Sequence, residues 1–550
     1  MKPSLIILAF LTLLTAYRAK AQKKHSALLV DTAIAYQDKK LYAKALQYYE
    51  QAFKEGYSSN YPYYYAAQCA CQTGETEKAI TLYKKGFSIL ADYGNYDFFA
   101  SDTLNKCFSQ TPDWIAQLSA MKFKYDSAET VRKTYLTRIN DTALRINRSP
   151  ISDSLQVVKQ TKGKSAAALI KWIKGYNQYP ASRIKGAGTV YHIKINDTLT
   201  VPFYVYVPAG YKPSEKTPLY VFLHGGVSRR PAFLTSFMFY SPDKTILQKP
   251  IEKNAIILYP AASKDINWLY HQTAFETILR EVSFVKSLYN IDDNRVYLAG
   301  HSDGATGTFW MATHKPNAFA SFLGFNYNPQ SYFNNTLLGN LRNPTGFYGV
   351  SAINDGTFNI GLVTHIKDYG QQIGANWKAF TLKSEHGLPY DDTAAVAFAY
   401  DSLFNLKRNP LPKQLKWETD DTANGRYFWL EISRLDTLKE KASWQQAYNP
   451  ADITLNGKNR TLNFNRHKTG ALTAQIRGNT VRIQQSRVKD ITFYALEGMF
   501  DTTKPVKIYI NDKQVFNGLI KPDTKDILDE FIKTKDRTMI VLKKLKFQME

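Results

Sequence analysis

The stretch RVYLAGHSDGATG, residues 295–307, joins an apolar run to a glycine-flanked serine and then to a run of small residues. Arg295 to Ala299 has the β-branched and aromatic content of a buried strand. Gly300-His301-Ser302-Asp303-Gly304 fits G-x-S-x-G, and Ala305 onward reads as a helix start. Strand, tight turn and helix in that order would lift the Ser302 hydroxyl above a sheet. Side chains two residues either side would clash, so glycine stands in both places. The N–H groups after the serine would sit at a helix N-terminus, where developing negative charge is favoured.

The flanking pattern predicts a mainly parallel sheet with helices on both faces. GTVYHIKIND (188–197) and LTVPFYVYVPAGY (199–211) read as a hairpin, and PLYVFLHGG (218–226) and NAIILYPA (254–261) as buried strands. Phe275, Leu279, Val282, Val285 and Leu288 recur at helical spacing. Alternating strands and helices give the α/β class.

A serine hydroxyl near neutral pH needs a base, and in this architecture the acid and then the histidine follow the serine in the chain. Four histidines do: His314, His365, His386 and His467. His314 falls at a helix end, His365 within a helix, and His467 in a separate C-terminal region. His386 follows the strand WKAFTLKSE and precedes Gly387, a strand-to-loop edge suited to a general base. Between Ser302 and His386 the only acids are Asp303, Asp355, Asp368 and Glu385. Asp303 lies inside the turn, Asp368 shares the helix of His365, and Glu385 adjoins His386. Asp355, after the strand TGFYGVSA, is left to hold the histidine tautomer. For an oxyanion, one N–H would come from Asp303 and the second from the loop after PLYVFL, with Gly226 preferred and Val227 the alternative. His224 in that loop reads as a structural hydrogen-bonder. Trp268, Tyr270 and Phe309 are aromatics near the expected cleft, and Trp268 is the candidate for substrate contact. Asn326 to Asn343 reads as a lid or cleft wall.

Residues 186–408 resemble an α/β-hydrolase of the secreted esterase type, similar to the polyhydroxybutyrate depolymerase, feruloyl esterase and acetylxylan esterase group. The resemblance rests on VPFYVYVPAGY before PLYVFLHGG, on NAIILYPA, and on YNIDDNRVYLAGHSDGA followed by KPNAFASFLGFN. It implies serine-esterase chemistry through an acyl-enzyme, with no cofactor and no metal. Two departures stand out. Six residues separate Gly349 from Asp355, where such families often place glycine three before the acid. Asp303 also sets a carboxylate beside the nucleophile.

The remainder of the 550 residues organises around this block. Residues 1–21 read as a signal peptide: Lys2, an apolar run from Leu5 to Tyr17, then Ala19-Lys20-Ala21. That predicts export to the periplasm or medium and no spanning segment in the mature chain. The formal charge of +24 favours anionic partners, and export together with the lack of a nucleic-acid motif argues against DNA or RNA.

Within 24–122 a period of 34 pairs Ala33 with Ala67, Ala45 with Ala79, Leu46 with Ile80, Tyr49 with Tyr83 and Phe53 with Phe87. This resembles the tetratricopeptide repeat. Such repeats either pack on the next domain or hold a protein partner. Cys69, Cys71 and Cys107 read as buried small hydrophobes. Residues 123–185 read as a helical connector. After the Pro- and Lys-rich boundary at 406–417, residues 413–550 read as a β-rich domain. Asn456-Gly457 signals a hairpin there, and Thr524 to Lys533 a late helix.

The expected protein is therefore an exported carboxylic-ester hydrolase acting on esterified polysaccharide or a related ester. A serine peptidase on the same fold, and a catalytically inactive binding scaffold, are the alternatives.

Overall fold

In the computed structural model the described residues are 25–26, 28–57, 60–90, 96–126, 150–181, 185–227, 233, 248–387, 393–445, 451–455, 458–462 and 464–549. The expected signal peptide and the Asn456-Gly457 turn lie outside them. The chain forms two compact units, residues 1–135 and 136–550.

The first unit is helical. A helix over 28–38 is followed by α1 (Tyr42–Lys54), α2 (Asn60–Gln72) and α3 (Thr76–Leu90), and a further helix spans 112–126. The positions paired by the 34-residue period share an environment: Ala33, Ala67, Ala45, Ala79, Tyr49 and Tyr83 are all fully buried. Small residues let the helices approach, and the tyrosines fill the space with Phe99, Phe108 and Trp114. The cysteines correct the reading of three independent thiols. Cys71 and Cys107 form a disulfide with Cα atoms 5.5 Å apart, while Cys69 is free and buried. They meet because the segment after α3 folds back beside α2, which sequence separation does not reveal.

The second unit holds an eight-stranded sheet: β1 (Ala187–Lys194), β2 (Thr200–Val207), β3 (Thr217–Leu223), β4 (Ile256–Pro260), β5 (Ile291–His301), β6 (Ser321–Phe325), β7 (Phe347–Ala352) and β8 (Trp377–Leu382). Their spatial order is β1-β2-β4-β3-β5-β6-β7-β8. The last six of these are parallel, and the antiparallel β1–β2 hairpin caps one edge. The pleat sorts side chains between two cores. Leu219, Val221 and Leu223 of β3, with Val296 and Leu298 of β5, face α6 (Gln272–Leu288), α7 (Asp303–His314) and α8 (Ile360–Gln372). Tyr220 and Phe222, with Tyr297 and Ala299, face α9 (Thr393–Phe404) on the other side. Both faces are covered, so the central strands read as unbroken apolar runs.

From Gln414 onward two sheets pack around one core. One runs, in spatial order, Lys513–Gly518, Val506–Ile510, Thr480–Ser486, Gly470–Arg477 and Gln414–Thr419, and the other Arg426–Tyr427, Leu430–Leu435, Val488–Leu496 and Val541–Gln548. Trp417 and Leu472 from the first meet Ile432, Ile491 and Phe493 from the second. The connector reading is corrected in its described part. α4 (Ser154–Thr161) and α5 (Ala166–Gly175) bury Val157, Leu169 and Ile173 against Ile527 and Phe531 of α10 (Thr524–Thr534), so they are part of this body. Arg408 is buried and ion-paired to Asp536 at 2.7 Å.

The 326–343 stretch is not a lid. Asn335 and Asn340 are buried at the seam with the β-rich part. Asn340 donates to the carbonyls of Thr313 and Glu418, and Asn335 to that of His467. A chain rich in asparagine can satisfy irregular backbone in a dry seam, which explains its polar composition without an opening segment.

Candidate active site

β5 ends at His301 and α7 begins at Asp303, so Ser302 occupies the turn with φ +57° and ψ −124°. For a residue with a side chain this is a strained conformation. It survives because both flanks are glycine. A Cβ on Gly300 would stand 2.4 Å from the Gly304 backbone, and one on Gly304 would stand 2.1 Å from the Leu223 carbonyl oxygen. The Ser302 N–H donates to the Phe325 carbonyl, and Thr306 N–H to the Ser302 carbonyl, which fixes the turn between β6 and α7.

The three residues expected from chain order lie together. Ser302 Oγ is 2.8 Å from His386 Nε2, and His386 Nδ1 is 2.9 Å from each Asp355 oxygen. The Asp355 side chain is 2% exposed and that of His386 28%. Asp355 Oδ1 also accepts the N–H groups of Thr357 and Phe358, at 2.7 and 2.8 Å. The longer spacing from Gly349 is thus absorbed by a turn that closes on the carboxylate itself. With Asp355 accepting at Nδ1, the neutral imidazole presents its Nε2 lone pair to the serine hydroxyl. His365 and His467 stand away from this chain of contacts. His314 is buried at the end of α7, stacked on Trp310.

The loop after β3 covers the serine. A Cβ on Gly225 would stand 2.7 Å from Ser302 Cβ and 3.3 Å from its Oγ. Gly226 has φ +69°. Val227 N–H, the alternative oxyanion donor, is committed to Asp303 Oδ2 at 2.9 Å. The carboxylate next to the nucleophile is therefore a tie between the two loops of the site. His224 acts as expected of a structural group. Its Nε2 accepts the Ala262 N–H at 3.2 Å, so the proton is on Nδ1, which donates to the Gly225 carbonyl at 2.8 Å.

Trp268 does not offer a face to substrate. It is 2% exposed, edge-on to His224 and packed where a Cβ on Gly307 would touch it. Phe309 is equally buried, in a cluster with Phe347 and Trp377. Tyr270 is the exposed aromatic of the three, against Tyr332. Two further residues escaped the sequence reading. His301 and Asn326 both donate to the backbone carbonyl of His386. Burial pushes His301 down to about 4, so its ring is neutral at pH 7. Among the described residues no group of three or more His, Cys, Asp or Glu is placed to hold a metal ion.

Residues 198–447 match the Esterase family model. No curated protein matches the chain. Solved structures resemble it at low identity. A thermostable esterase is 18% identical, with 40% of this chain and 63% of that one covered and a TM-score of 0.33. A fluorophosphonate-binding serine hydrolase of Staphylococcus aureus is 16% identical, with 39% and 99% covered and a TM-score of 0.32. The feruloyl esterase module from Clostridium thermocellum is 14% identical, with 40% and 88% covered and a TM-score of 0.30. The family match and the elbow geometry make this domain a serine esterase of the α/β-hydrolase fold.

Proposed function

We propose that the protein is an exported carboxylic-ester hydrolase working through Ser302, His386 and Asp355. The observation that carries this reading is the continuous hydrogen-bonded chain from the strained serine to a buried carboxylate. His386 Nε2 takes the serine proton as Oγ attacks the ester carbonyl. Asp355 holds the ring and stabilises the imidazolium. The oxyanion is received by the N–H groups of Asp303, at the start of α7, and Gly226. His386 then protonates the departing alcohol, and water repeats the sequence on the acyl-enzyme.

The apolar leader and the A-x-A site support export, and a disulfide suits an oxidising compartment. Among the described residues no helix is long and apolar enough to cross a membrane. Esterified polysaccharide is the proposed substrate class, on the resemblance to secreted esterases. The matched burial of the 34-residue period supports a tetratricopeptide-like module, which we assign to a protein partner.

The test is a fluorophosphonate probe on the purified mature protein beside Ser302→Ala, followed by acetyl, feruloyl and peptide substrates. Labelling of the wild type alone, with turnover of esters, supports the reading. A folded wild type that resists the probe would sink it, and turnover of peptides alone would move the assignment to a peptidase.

A further inference from the structure

The general base sits on a loop, between β8 and the residues before α9, and a loop does not by itself hold a ring to a tenth of an ångström. His386 is nevertheless in contact with both Ser302 and Asp355. The loop is gripped from outside, at its backbone. Asn326 Nδ2 donates to the His386 carbonyl at 3.0 Å and to the Gly387 carbonyl at 2.9 Å. Asn326 Oδ1 accepts the N–H of Ala352 at 2.8 Å, at the end of the strand that leads to Asp355. Its own N–H donates to the Val350 carbonyl. His301 Nε2 donates to the same His386 carbonyl at 2.8 Å.

Asn326 is 4% exposed and has φ +49°, a conformation that asparagine adopts more readily than most residues. One amide thus touches the base loop with its nitrogen and the acid loop with its oxygen. We infer that Asn326, assisted by His301, is a positioning residue that sets the separation of Asp355 and His386 and so the aim of the base at Ser302. The inference rests on the triad reading above. Neither side chain meets the reacting atoms. An aspartate at 326 could still accept from Ala352 but could donate to neither carbonyl, and a leucine at 301 would remove the second donor.

The experiment measures kcat and KM on a p-nitrophenyl ester. It compares wild type, Asn326→Ala, Asn326→Asp, His301→Leu and His301→Gln, with near-ultraviolet circular dichroism as the check on folding. A misplaced base costs turnover more than binding. Asn326→Ala and Asn326→Asp should lose about 100-fold in kcat with KM little changed. His301→Gln, whose amide can still donate to the His386 carbonyl, should restore most of the activity lost in His301→Leu. Should the Asn326 variants not fold, the His301 pair decides alone. Folded variants with wild-type kcat overturn the inference, as does equal activity of His301→Leu and His301→Gln. A wild type that the fluorophosphonate probe does not label overturns the triad reading and this one with it, and so separates the two failures.

Discussion

A methyl group on Gly304 would meet the Leu223 carbonyl oxygen at 2.1 Å and that of His224 at 2.7 Å, both on the strand and loop that carry the proposed oxyanion donor. Neither is the end of a flexible side chain, so the backbone must move. Gly304→Ala should cost about 1–3 kcal/mol, visible as a lowered Tm, and should slow labelling of Ser302 because the elbow and the 224–227 loop are pushed apart. A wild-type melting curve and labelling rate would show that this contact does not hold the site. Glu281, beneath the same region, tests the interior differently. It is fully buried beside Trp268, and neither carboxyl oxygen has a hydrogen-bond partner. Burial raises its carboxyl well above the ordinary value. The folded state therefore keeps a proton that the unfolded chain gives up, and this group's contribution to stability falls as pH rises above the unfolded carboxyl range. Glu281→Gln, neutral at every pH, should match wild type near pH 4 and melt higher at pH 8. Parallel curves at both pH values would mean the carboxyl is not held neutral.

At the scale of elements, the first turn of α7 is tied to the loop after β3 by a single carboxylate. Asp303→Ala frees the Val227 N–H and should lower kcat/KM about tenfold or more, from the loss of one hydrogen bond to a charged group. Asp303→Asn, whose amide oxygen accepts the same N–H, should recover most of it on a neutral ester. Equal losses in both would mean that the charge, not the tie, matters. This tie marks the limit of what the sequence discloses. The strands were legible because each face of β3, β4 and β5 needs an apolar partner, leaving runs that no loop would carry. The meeting of Ser302, His386 and Asp355 was legible because chain order and a shortage of acids left few choices. Trp268 was misread, since an aromatic in a core and one in a cleft look alike until Gly307 and His224 are seen against it. Asn326 gave no signal, for its meaning comes from two loops about 26 and 60 residues away that the sheet brings together. Asn335 and Asn340 followed the same rule, since they reach the carbonyls of His467 and Glu418 in the C-terminal part.

The whole second unit is closed by a buried ionic cluster between the parallel sheet and the residues after α10. Lys286 meets Asp293 at 2.9 Å, Arg408 meets Asp536 at 2.7 Å and Arg537 meets Asp293 at 3.2 Å, and every member is about 4% exposed or less. Burial alone would raise the Asp536 carboxyl. Arg408 and Lys286, with the N–H groups of Thr538 and Met539, instead hold it well below the usual carboxylate range. A depressed carboxyl stabilises the fold above its unfolded value and loses that contribution as pH falls below it. Because the cluster spans both parts, the hydrolase sheet and the β-rich sheets should unfold as one. Asp536→Asn leaves the buried Arg408 without its counter-charge, at a cost of about 3–5 kcal/mol. In the full chain, the temperature at which Ser302 stops taking the probe and the temperature at which the C-terminal β signal is lost should fall together, and by the same amount. If the β signal alone moves while labelling keeps its wild-type midpoint, the C-terminal sheets are a separable appendage, and the cluster is a local feature of their edge.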